Sequence, residues 1–150
     1  MNNFQSLNEV LDFAMTAEQR AIDFYEGLAE KSEGSIKQAF IDFSREEKGH
    51  KAKIQRFKDT GEVTITDEAV MDLKISDYVV DVKAKEDMTF QEVLILAMKR
   101  EKAAFRLYSD LAAAATDGEV KKLFKALAQE EAKHKLRFEI EYDDIVLAEN

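Results

Sequence analysis

The sequence predicts an all-α fold, a four-helix bundle built from two antiparallel hairpins joined by a long crossover. Three observations carry this prediction. The 150 residues include no proline and only five glycines, so little interrupts a helix. Four segments open on a Ser/Thr-x-x-Glu/Gln pattern, which can cap a helix N-terminus from both sides. The second half of the chain also repeats the pattern of the first.

The four openings are Ser6…Glu9, Ser35…Gln38, Thr89…Glu92 and Thr116…Glu119. They predict helices over about 6–32, 35–60, 89–115 and 117–148. The connections near Gly34 and Gly118 are very short, and short connections make antiparallel neighbours. Gly61 is a plausible stop for the second helix. Residues 61–88 form the crossover, long enough to run back along the second helix and leave the second and third parallel. Within it, Val63 and Ile65 suggest a short extended piece. Ile75, Tyr78, Val79 and Val82 follow helical spacing and suggest a short amphipathic helix. The length suits one domain over 1–150.

The repeat is specific. Ala14, Met15, Glu18, Ala21, Tyr25, Leu28 and Ala29 match Ala97, Met98, Glu101, Ala104, Tyr108, Leu111 and Ala112 at an offset of 83. Gly34, Lys37, Phe40, Glu46, Glu47, His50 and Lys51 match Gly118, Lys121, Phe124, Glu130, Glu131, His134 and Lys135 at an offset of 84. Two hairpins of one design would give the bundle a pseudo-two-fold axis.

Composition narrows the function. There is no cysteine, which excludes disulfides, thiolate zinc sites and iron–sulfur clusters and fits a cytoplasmic protein. No secretory signal or membrane-length apolar run is visible. The net charge is −9, so nucleic acid is not an expected partner. The negative charge gathers in two stretches. Residues 61–88 hold eight acidic against three basic residues, and 139–150 hold five acidic and no basic ones. These read as solvated acidic segments. The ten phenylalanines and five methionines fall at helical spacing and read as core.

The only two histidines close two Glu-x-x-His motifs, Glu47…His50 and Glu131…His134. Residues three apart share one helix face, so each pair could hold one metal ion. Glu18 and Glu101 interrupt apolar stripes, where an uncompensated carboxylate would be costly. Two divalent cations would balance all four carboxylates. Bundle di-iron and di-manganese sites use this set: one Glu from each of two helices and Glu-x-x-His from each of the others. The candidate metal ligands, and through the metals the catalytic residues, are therefore Glu18, Glu47, His50, Glu101, Glu131 and His134. The donors suit two iron ions, with manganese or zinc as alternatives and no haem. Tyr25 and Tyr108 lie seven residues after Glu18 and Glu101, where their hydroxyls could hydrogen-bond ligand carboxylates. Glu46 and Glu130, one residue before the motifs, read as flank residues.

Glu18 with Tyr25, Ser44-Arg45-Glu46-Glu47-Lys48-Gly49-His50, Glu101 with Tyr108, and Ala128-Gln129-Glu130-Glu131-Ala132-Lys133-His134 together resemble the ferritin-like superfamily, and within it the rubrerythrin family. The resemblance covers nearly the whole chain. It implies a non-haem di-iron centre that reacts with peroxide or dioxygen, in a homodimer or larger assembly. Rubrerythrins proper carry a cysteine-ligated rubredoxin-like domain, so this chain resembles a rubredoxin-less member. Its electrons would come from a separate donor such as a rubredoxin-like protein. Rubrerythrins also place an extra Glu one turn after the third-helix ligand, where this chain has Ala104. Oxidation and storage of iron is the alternative to peroxidase turnover, and a purely structural metal pair is a third reading.

Overall fold

The computed structural model describes residues 3–61, 65–80, 85 and 87–149. They form two compact units, one spanning Phe4–Asp72 and the other comprising the rest. Each unit contains one helical hairpin.

The first unit holds α1 (Leu7–Glu30), α2 (Gly34–Thr60) and the short α3 (Asp67–Val70). Ser6 caps α1 as its sequence predicts, its hydroxyl accepting from the Glu9 N–H at 3.1 Å. The Asp67 carboxylate of α3 accepts from the Leu7 N–H at 2.8 Å. It satisfies another orphan donor and places negative charge at the positive end of α1. Leu11, Ala14, Glu18, Ala21, Ile22, Tyr25 and Ala29 form the buried stripe of α1. Ala39, Phe40, Ser44, Glu47, His50, Ile54 and Phe57 form that of α2. Burying an Ile or Leu is worth roughly 1.5–3 kcal/mol. Polar groups at Glu18, Glu47 and His50 forgo that gain and add a desolvation cost, so their place in the stripe needs another cause.

Two expectations in this unit are corrected. The α2 helix opens one residue before Ser35, at Gly34, with Glu33 as N-cap and no side-chain cap bond. The φ of 70° at Gly34 suits glycine, and it brings the chain into the helix before Ser35 can act as a cap. Ile65 is buried but lies in no strand, while Val63 falls outside the described residues. Thr66 instead caps α3, accepting from the Ala69 N–H at 3.2 Å. Gly61 ends α2 as expected, with φ 67° and its N–H donating to the Phe57 carbonyl.

The second unit holds α4 (Phe90–Ala114) and α5 (Gly118–Glu149). Thr89 and Glu92 form the complete capping box predicted for α4. The α5 cap falls one residue later than expected. Asp117, not Thr116, accepts from the N–H groups of Glu119 at 2.8 Å and Val120 at 3.3 Å. Its carboxylate also meets the positive helix end, an advantage a threonine lacks.

The amphipathic helix expected around Ile75–Val82 is a single 3₁₀ turn at Ile75–Asp77. Tyr78 is buried and its hydroxyl donates to the Asp110 carboxylate of α4 at 2.5 Å. Val79 is exposed, and Val82 lies outside the described residues. A one-turn helix cannot offset its nucleation cost, and the β-branched pair Val79-Val80 disfavours continuing it. No helix among the described residues is long and apolar enough to cross a membrane.

Candidate metal centre

In the first hairpin, α1 supplies Glu18 and α2 supplies Glu47 and His50. All three are at most 2% exposed. The His50 Nδ1 stands 3.3 Å from a Glu47 oxygen and 3.6 Å from a Glu18 oxygen. One ligand atom from each of the three lies within 4.8 Å of the others. Ligand atoms on a single ion at about 2.1 Å stand about 3–4 Å apart, so modest adjustment would let one ion touch all three.

The second hairpin has the same set. Glu101 comes from α4, and Glu131 and His134 come from α5. They are equally buried, with His134 Nδ1 3.5 Å from a Glu101 oxygen and their three ligand atoms within 4.8 Å of one another. The structure therefore brings together, inside each hairpin, the three residues that the sequence proposes. Glu46 is exposed and Glu130 half-buried, in keeping with a flank position.

Tyr25 and Tyr108 are both buried on the same helix faces as Glu18 and Glu101. Tyr25 stacks on Phe40 with ring centroids 6.4 Å apart, and Tyr108 on Phe124 at 6.3 Å. These stacks fix the two rings in matching positions of the two hairpins. Ala21 is buried and its counterpart Ala104 half-buried, so neither position adds a carboxylate to its set.

In the metal-free chain, burial alone would lower the His50 pKa. Hydrogen bonds and charge from Glu18 and Glu47 outweigh burial and raise it to about 11. A raised pKa stabilises the fold fully below about pH 6.5, and this contribution is lost as pH rises through about 11. At neutral pH His50 is thus a cation paired with its neighbours. Metal ligation requires the neutral ring, so ion uptake should release a proton and strengthen as pH rises. Titrating metal into weakly buffered protein at pH 7 should release at least one proton per chain. Metal uptake with no proton released would contradict this state of His50.

One link between the helices that carry the ligands was missed in the sequence. Lys51 donates to the Gln19 side-chain oxygen at 2.6 Å, and the Gln19 amide donates to Asp23 at 2.9 Å. This link joins α2 to α1 one residue after His50 and Glu18. The signal was present: each ligand is followed by a residue able to bond the other. The second hairpin has Lys102 and Lys135 in those places, two cations that cannot pair, and Lys135 instead bonds Glu139 along α5.

The rubrerythrin family profile matches residues 9–142. The chain belongs to the rubrerythrin family. A similar fold occurs in a Thermotoga maritima crystal structure named as a ferritin-like diiron-carboxylate protein, with a TM-score of 0.78. The match covers 95% of this chain and 98% of that one at 21% identity, a level at which the likeness speaks for fold. The all-α, ferritin-like expectation is therefore correct for this rubrerythrin-family chain. No curated protein matches the sequence.

Proposed function

We propose that the two buried sets hold a pair of iron ions that form the protein's redox site. At this site the protein reduces peroxide or dioxygen with electrons from a separate donor. The observation that carries this reading is the same buried Glu/Glu/His set in both hairpins. Four carboxylates and two imidazoles suit iron or manganese, and zinc also accepts them. Their four negative charges would match two divalent cations, which explains why carboxylates occupy core positions. The diiron name of the Thermotoga protein agrees with this assignment.

A bound pair of Fe(II) ions would supply two electrons to the oxidant, together with Lewis acidity. The remaining work falls to the chain. Glu18, Glu47, Glu101 and Glu131 neutralise charge and fix position, and His50 and His134 complete the donor sets. Tyr25 and Tyr108 would hold ligand carboxylates in orientation through their hydroxyls. Phe40 and Phe124 are fully buried and stack on Tyr25 and Tyr108, which holds the two tyrosine rings in place. With no cysteine in these residues, re-reduction depends on a donor such as a rubredoxin-like protein.

Stopped-flow oxidation of anaerobic, iron-loaded protein tests this reading. Peroxide or dioxygen should generate a ferric absorbance that a reductant reverses, over repeated cycles. An unreactive metal pair would contradict it. Uptake of many irons per chain without cycling would shift the assignment to iron storage.

A further inference from the structure

The repeat isolates a feature that the metal site does not use. On the outer face of α4, Lys99, Lys102 and Arg106 occupy the positions that Thr16, Gln19 and Asp23 occupy on α1. The first hairpin uses two of these positions, Gln19 and Asp23, in its link to Lys51. The second places three cations there, within a chain of net charge −9.

These cations line an open cleft of about 400 Å³, within the usual size range of small-molecule sites. Asp77, Val79 and Val80 of the crossover form its other wall. Tyr78, between Asp77 and Val79, is anchored to Asp110 of α4, so this wall is tied to the helix that carries the cations. Arg106 stands 3.6 Å from Asp77. Among the described residues, neither Lys99 nor Lys102 pairs with a carboxylate. Among the described residues, Lys99, Lys102 and Arg106 face Asp77, with Asp110 one turn beyond Arg106 and bonded to Tyr78, so the cations remain in excess along the cleft. They span one helix face over about 10 Å at 1.5 Å per residue.

We propose that this cleft binds a small organic dianion, with carboxylate or phosphate groups on Lys99, Lys102 and Arg106 and its carbon skeleton against Val79 and Val80. The Arg106 guanidinium can take an anionic group through two parallel N–H bonds. The two lysines act as flexible point charges. The apolar wall favours an organic anion over an inorganic one. This assignment does not depend on the metal reading.

Isothermal titration of the metal-loaded protein with succinate and with glycerol 3-phosphate, at fixed ionic strength, tests the site. Either probe should saturate one site with Kd below about 1 mM, and the tighter of the two identifies the anionic group preferred. The Lys99→Gln/Lys102→Gln variant changes only exposed side chains. It should weaken binding at least tenfold while keeping its metal content and melting temperature. Absence of saturable binding up to 10 mM, or unchanged affinity in the variant, would overturn the proposal.

Discussion

Stripping the metal should lower the melting temperature by about 10–20 °C at neutral pH. Each ion present at about 100 times its Kd adds about 2.7 kcal/mol to the folded state. Two ions then supply about 5 kcal/mol, and a domain of this size shifts by about 2–4 °C per kcal/mol. The metal-free state is not left with four bare carboxylates. The raised pKa of His50 keeps one positive charge beside Glu18 and Glu47, which softens the loss and explains why the chain should remain folded without metal. Calorimetry of chelated and reconstituted protein checks this. Identical melting of the two forms would mean that the buried acids do not depend on metal.

Replacing Glu131 should move the metal-free and metal-loaded forms in opposite directions. Glu131 is fully buried, and Glu131→Ala removes a charge that is costly to bury without a counter-ion. The metal-free variant should therefore melt at or above the wild-type temperature. The loaded variant should melt lower, hold about one ion instead of two, and oxidise at least about 100-fold more slowly, beyond the usual cost of losing an outer hydrogen-bond partner. Glu47→Ala should lose metal and oxidation rate in the same way, but it also removes a partner of the His50 cation, so its metal-free form should melt below the wild type. Glu46→Ala, at an exposed neighbouring position, should change neither metal content nor rate. Equal behaviour of Glu46 and Glu47 variants would remove the distinction between flank and ligand.

The candidate ligands were readable because their chemistry conflicts with their setting. A glutamate on an apolar stripe stands out, and a repeat shows the same conflict twice. Helix ends at Ser6, Gly61 and Thr89 were readable because local capping chemistry decides them. The α2 and α5 starts were displaced because Gly34 and Asp117 offered local alternatives to Ser35 and Thr116. The crossover was the least readable part. Its apolar spacing allowed a helix, but too few residues were present to nucleate one, and the Tyr78–Asp110 bond joins residues 32 apart. Such a partner leaves no trace in local periodicity. The Lys51–Gln19 link was missed for a similar reason: it pairs two ordinary polar residues across helices.

Both Glu/Glu/His sets should hold metal. Anomalous diffraction from crystals of the iron-loaded protein, measured on either side of the iron absorption edge, tests it most directly. Two iron peaks per chain are expected. One should be bonded to His50 with Glu18 and Glu47, the other to His134 with Glu101 and Glu131. Iron bonded to only one of these sets, or held away from both histidines, would contradict it.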